Sequence, residues 1–263
     1  IWAELCQMGP GLGSATGSSQ SRGCGGCQQG AQPALQGPTI SHGAGKYQGG
    51  AGQPPWHLFK VFIEGWPQVK VFQARPDDLL IATYPKSGTT WLSEVTDMIY
   101  HDSDVKKCQR DAIYNRVPFL EMTVPGLPSG VEQLENTSYP RLVKTHLPVQ
   151  LFPTSFWEKD CKIIYVARDP KDVVISYYYF CQMAKLHPDP GTLAEFLETF
   201  MAGKVAYGSW YDHVRGWWEK KQKKILYLFY EDMKKNPQYE VQKILPFLGM
   251  EVAEGTVERI LHH

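Results

Sequence analysis

The run Lys86-Ser87-Gly88-Thr89-Thr90 places one full positive charge, three hydroxyls and a glycine in five consecutive positions. Before it, Leu79-Leu80-Ile81-Ala82-Thr83 reads as a buried strand, and Tyr84-Pro85 ends that strand because proline cannot donate to a ladder. After it, Trp91, Leu92, Val95, Met98 and Ile99 recur at helical spacing. A strand, a tight loop and a helix start in that order bring unpaired backbone N–H groups and the positive end of a helix dipole to one point. Such a point takes an anion, and the added lysine and hydroxyls suit a phosphate or a group like it. The nucleoside-triphosphatase loop needs its lysine directly after the second of two glycines. Here the lysine precedes the loop's only glycine, so that pattern fails.

Further residues able to do chemistry follow short apolar runs. Arg141-Leu142-Val143-Lys144-Thr145 reads as a second strand that delivers His146 just past its carboxyl end, the edge where open α/β sheets hold ligands. A histidine there is suited to remove a proton near neutral pH. Lys162-Ile163-Ile164-Tyr165-Val166-Ala167 is a third strand, apolar enough to be buried on both faces, and Arg168 follows it. Asp169 reads as the N-cap and Pro170 as the first residue of a helix that carries Ser176 about two turns in. Ile225-Leu226-Tyr227-Leu228-Phe229-Tyr230 is a fourth strand. Strands alternating with helices imply an α/β fold, a mostly parallel sheet flanked by helices with the anion loop at its edge.

The elements between these points read as packing. Thr192-Leu193-Ala194-Glu195 is a capping box, and Leu193, Phe196, Leu197, Phe200 and Met201 behind it form one core-facing stripe. Trp210, Val214, Trp217 and Trp218 mark another amphipathic helix, and Lys220 to Lys224 is a solvated run. Val241, Ile244, Leu245 and Leu248 have helical spacing interrupted by Pro246, which predicts a kink or an early end. The aromatic stretch from Trp56 to Phe72, with Leu58, Phe59, Phe62 and Trp66, packs into the same domain.

Residues 1–53 differ from everything after them. They hold 14 of the 24 glycines and only Glu4, Arg22 and Lys46 as charges, too little apolar surface to offset ordering entropy. The expected organisation is a disordered extension over 1–53 and a single domain over 54–263. Cys24-Gly25-Gly26-Cys27 has metal or redox spacing but no second pair, so it reads as incidental. The 27 basic and 27 acidic residues balance, which argues against nucleic acid or an acidic membrane as the main partner. No apolar run approaches the roughly 18 residues of a membrane span. Six scattered cysteines fit a reducing cytoplasm better than a disulfide framework.

Tyr84-Pro85-Lys86-Ser87-Gly88-Thr89-Thr90-Trp91 closely resembles the 5′-phosphosulfate loop of the cytosolic sulfotransferases. Lys144-Thr145-His146-Leu147-Pro148 is similar to that family's catalytic segment, and Arg168 with Ser176 matches its pair for a nucleotide 3′-phosphate. The resemblance covers about residues 56–263 and looks most like the aryl, small-molecule branch. It implies 3′-phosphoadenosine 5′-phosphosulfate as co-substrate, a small phenolic or related hydroxyl acceptor, and no metal. By resemblance the nucleotide is held by Lys86, Ser87, Gly88, Thr89, Thr90, Trp91, Arg168, Ser176 and Tyr230. His146, Lys86 and Lys144 are catalytic by the same reading, and Phe62, Phe119 and Phe180 line the acceptor site with Lys144 and His146. Family members continue past the position of His263 through a basic nucleotide clamp and a dimerisation motif. The expectation is therefore a poor or inactive enzyme, monomeric or aggregating. Two other readings stay open: a non-catalytic truncated product, and a P-loop kinase of small molecules.

Overall fold

The computed structural model describes residues 60–262, except 125, 139, 185, 186 and 222. The Cys24–Cys27 pair, the glycine-rich segment over 1–53, and Trp56, Leu58 and Phe59 lie outside the described residues. The chain enters through helix α1 (Lys60–Lys70) and then forms strand β1 (Leu79–Thr83) and helix α2 (Thr89–Tyr100). Strand β2 (Leu142–Thr145) and strand β3 (Lys162–Ala167) follow, then helices α3 (Pro170–Met183), α4 (Leu193–Met201) and α5 (Trp210–Glu219). Strand β4 (Ile225–Phe229) and helices α6 (Tyr230–Lys235), α7 (Pro237–Leu248) and α8 (Thr256–His262) close the chain.

The four strands form one parallel sheet in the order β2-β1-β3-β4. Register is set by pairs such as Ala82 with Thr145 and Thr83 with Val166. Chain order moves from β1 to β2 on one side and from β3 to β4 on the other. The loops after β1 and β3 therefore diverge and leave a crevice at their carboxyl ends, the place such sheets use for ligands.

Alternation along the strands explains the two cores. Leu79 and Ile81 face one way with Ile164, Val166 and Leu228, against Leu92, Val95 and Ile99 of α2 and Ile244 and Leu248 of α7. Leu80 and Ala82 face the other way with Val143, Ile163 and Tyr165, against Phe152, Phe156 and Trp217. Each fully buried aliphatic side chain contributes about 1.5–3 kcal/mol, so β1 is fixed from both faces. The Asp78–Arg141 pair locks the opposite end of β1 and β2, with Nε to Oδ1 at 2.7 Å and both residues buried.

The structure departs from the sequence expectations at two helices. Helix α7 does not end at Pro246 but runs to Leu248, where Gly249 caps it at φ 70°. Pro246 still removes one N–H and crowds the Gln242 carbonyl, but burial of Ile244, Leu245 and Leu248 in the core holds the turn through it. On α4 the caps are as expected, but only Phe196 and Phe200 are buried; Leu193, Leu197 and Met201 are exposed. Only one edge of the stripe faces the core, and a periodic pattern cannot say how wide a strip the neighbours cover.

Candidate active site

Sequence rules shape the loop after β1 closely. Tyr84-Pro85 ends the strand, and the Ser87 N–H donates back to the Tyr84 carbonyl at 3.2 Å to close the turn. Lys86 then sits at φ 69° and Gly88 at φ 96°, both in the left-handed region. At Gly88 that region suits only glycine, since a Cβ there would lie 2.7 Å from Cδ2 of Tyr230. Helix α2 starts at Thr89 without a side-chain cap, leaving its first N–H groups directed at the crevice. The Thr89 hydroxyl is taken up by Thr83 at 2.6 Å, whereas the Thr90 side chain is exposed.

Across the crevice stands Arg168, delivered by β3. Its Nη1 donates to the Lys86 carbonyl at 2.9 Å, and its guanidinium lies 4.3 Å from the centre of the Tyr230 ring. Tyr230 also meets Trp91 edge-on at 6.1 Å. Among the described residues, Ser87 Oγ and Arg168 Nε are buried without a hydrogen-bond partner. Buried polar groups left unpaired are costly. Trp210 Nε1 and Glu240 Oε2 lack a hydrogen-bond partner too, but Ser87 and Arg168 belong to one loop region, linked through the Lys86 carbonyl. Ser176 lies on α3, half-buried and eight residues beyond Arg168.

The end of β2 supplies the second half of the site. His146 Nδ1 lies 2.8 Å from the Thr83 carbonyl, which can only accept, so Nδ1 carries the proton and Nε2 is the basic nitrogen. Burial pushes the imidazole pKa down to about 3 against the Thr83 bond, and the charges of His213, Lys144 and Lys86 push the same way. The ring is therefore neutral at pH 7. The residue as a whole is half-buried. Phe119 lies 4.9 Å from it and Tyr207 5.3 Å, centre to centre.

Both lysines flank aromatic walls: Lys86 Nζ is 4.3 Å from the Phe180 ring centre and Lys144 Nζ is 4.7 Å from that of Phe119. Phe62 is buried and reaches the site through Tyr207, at 5.7 Å. The residues named from sequence thus form two groups. Lys86, Ser87, Gly88, Trp91, Arg168 and Tyr230 meet at the loop, and Lys144, His146 and Phe119 meet at the end of β2 (Phe180 joins through Lys86).

Several site residues were not singled out from sequence. Tyr207 stands in the left-handed region at φ 67°, in a loop pinned by Tyr84 Oη on the Gly208 carbonyl at 2.8 Å. His213 of α5 reaches the His146 carbonyl with Nε2 at 3.0 Å. Glu121 accepts the His146 N–H at 2.7 Å. His187 packs on Phe180 at 5.1 Å with Cys181 Sγ 3.2 Å from its Nδ1. Only Glu121 left a signal, as a carboxylate directly after the apolar pair Phe119-Leu120.

One cluster elsewhere has metal-ligating residue types. Asp97, His101 and Cys108 bring ligand atoms within 4.8 Å of one another. Burial would raise the Asp97 carboxyl, but Arg110 and Arg116 hold it below its ordinary range and occupy both of its oxygens. That environment suits an ion network rather than a cation. No helix among the described residues is long and apolar enough to cross a membrane.

The Sulfotransferase domain family matches residues 76–263. Rat sulfotransferase 1 family member D1 is 64% identical over 207 residues, which are 78% of this chain and 70% of that protein. Human sulfotransferase 1E1 is 56% identical over the same shares of each. Among solved structures, mouse sulfotransferase SULT7A1 complexed with PAP aligns at a TM-score of 0.66 and 34% identity, over 78% of this chain and 70% of that one. With a family match over most of its length and relatives this similar, the chain belongs to the sulfotransferase family, and its reaction is sulfuryl transfer from 3′-phosphoadenosine 5′-phosphosulfate.

Proposed function

We propose that residues 54–263 form the transfer domain and that its acceptor is the hydroxyl of a small, planar, phenolic molecule. The observation that carries this is the neutral His146, its Nδ1 committed to Thr83 and its ring packed between the aromatic rings of Phe119 and Tyr207. Flat aromatic walls favour a flat acceptor, and a neutral imidazole can take its proton. The acceptor oxygen, losing its proton to Nε2, bonds to sulfur as the bond from sulfur to the nucleotide's bridging phosphate oxygen breaks. Negative charge develops on that leaving oxygen. Lys86 and the N–H groups opening α2 stabilise it, and Lys144 steadies the sulfuryl oxygens. Ser87 Oγ and Arg168 Nε, buried and unpartnered, fit a phosphorylated nucleotide. On this reading Arg168 and Ser176 take its 3′-phosphate, and the Trp91–Tyr230 corner takes the base. The kinase reading falls with the family assignment.

Cys108, Cys161 and Cys181 are thiols, which agrees with a cytoplasmic setting. The test is transfer of labelled sulfur from the donor nucleotide to a panel of phenols and aliphatic alcohols. It is run beside a binding titration with 3′,5′-adenosine bisphosphate. Transfer to alcohols in preference to phenols would overturn the acceptor assignment.

A further inference from the structure

We infer that Glu121 is a positioning residue for the transfer, its buried carboxylate fixing the end of β2 and with it the aim of the His146 ring. The inference rests on His146 as the base. Ladder pairing with β1 ends at Thr145, so nothing in the sheet holds the next residue. Glu121 takes over at that point. Its Oε1 accepts the His146 N–H at 2.7 Å and its Oε2 accepts the Thr145 hydroxyl at 2.8 Å. The Thr145 oxygen in turn accepts the Leu147 N–H at 3.0 Å. Three consecutive residues are thus tied to one carboxylate, which is 2% exposed.

The carboxylate is itself anchored. Its own chain runs beside β2, with the Leu120 N–H on the Lys144 carbonyl at 2.9 Å and the Lys144 N–H on the Pro118 carbonyl at 3.0 Å. The Tyr207 hydroxyl faces the same carboxylate, which together with burial raises that phenol's pKa. From the other side, His213 Nε2 donates to the His146 carbonyl, and His213 Nδ1 accepts from Tyr165 at 2.8 Å. His146 is therefore gripped at its N–H, its carbonyl and its Nδ1 at once.

The ionised carboxyl accepts from both donors, one on each oxygen, with no donor of its own to place. Glutamine offers one acceptor oxygen and would turn an N–H₂ toward the other donor. A buried carboxylate is a costly way to fill space, and its use here points to alignment rather than packing. Burial pushes Glu121 up to about 6 against the bonds from His146 and Thr145. The titratable groups facing it are His146 and Tyr207; Lys144, Lys86 and His213 surround the imidazole beyond. As pH falls through about 6 the carboxyl gains a proton, one of its oxygens turns from acceptor to donor, and its grip on the Thr145–His146 segment weakens.

The test compares Glu121→Gln and Thr145→Val with the parent 263-residue chain. For Glu121→Gln, kcat should fall roughly 10- to 100-fold, the cost of a misaimed group, with affinity for 3′,5′-adenosine bisphosphate unchanged. The acid limb of the kcat profile near pH 6 should disappear. Nitrogen NMR of His146 should show the Nε2–H tautomer appearing beside Nδ1–H. Thr145→Val should move each readout the same way by less, and decides the matter should the glutamine variant not fold. Should the parent show no turnover, the NMR comparison decides alone, and the failure then belongs to the functional reading. Folded variants that keep the parent's kcat, acid limb and tautomer overturn the inference. So does loss of nucleotide affinity in step with kcat, which would mean a collapse of the whole site.

Discussion

The loop after β1 and the end of β2 lie on adjacent strands, yet they hold their polar groups in opposite ways. At the loop, Ser87 Oγ and Arg168 Nε are buried without partners, and Lys86 and Gly88 hold left-handed backbone. At the end of β2, the backbone N–H, the backbone carbonyl and one ring nitrogen of His146 each have a named partner. On the function proposed above, the first region keeps donors open for the nucleotide. The second spends its hydrogen bonds on holding one side chain still. Binding sites need groups left open, and a general base needs to be immobile, because small misplacements of reacting atoms are expensive.

That contrast can be broken most directly at His146. We expect His146→Ala to lose roughly 10²-fold or more of kcat while binding of 3′,5′-adenosine bisphosphate stays near the parent value. Steady-state kinetics beside calorimetric titration check it; parent-like turnover would put the base elsewhere. Next in size, Arg168→Ala should weaken the same nucleotide by about 1.5–3 kcal/mol, the range for hydrogen bonds to charged groups. Ser176→Ala should cost less. Both should affect the nucleotide lacking a 3′-phosphate far less, and equal losses on the two nucleotides would remove the pair from the phosphate site.

A smaller effect sharpens the comparison further. Ser87→Ala removes an unpartnered buried hydroxyl, so the unliganded melting temperature should hold or rise while nucleotide affinity drops by about 0.5–1.5 kcal/mol. A stability loss without an affinity loss would assign Ser87 to the fold. The smallest expected change is a titration. Burial and the charges of Lys144 and Lys86 hold His146 down at about 3 in the unliganded protein. An anionic nucleotide offsets those lysines and so favours the charged imidazole, and the NMR midpoint of His146 should move upward on saturation. A midpoint unmoved by nucleotide would separate the two regions electrically.

Sequence alone determined the strands, because each is a short apolar run bounded within a few residues by a proline or a helix start. It also determined the loop: Lys86 to Thr90 lies where the strand periodicity ends and the helix periodicity begins, and the structure has its turn and helix start there. The caps at Asp169 and Thr192 were legible for the same reason, since capping depends on residues within three positions of one another. Tertiary structure alone decided what surrounds His146. Glu121, Tyr207 and His213 come from 25 residues before it, from a loop after α4 and from α5, and no local periodicity links them. It also decided the two misread helices. Whether α7 continues past Pro246 depends on what Ile244, Leu245 and Leu248 pack against, and how much of the α4 stripe is buried depends on the width of its neighbours. Patterns within one element report the forces acting along the chain. Which buried donor meets which acceptor is settled only when distant segments are packed together.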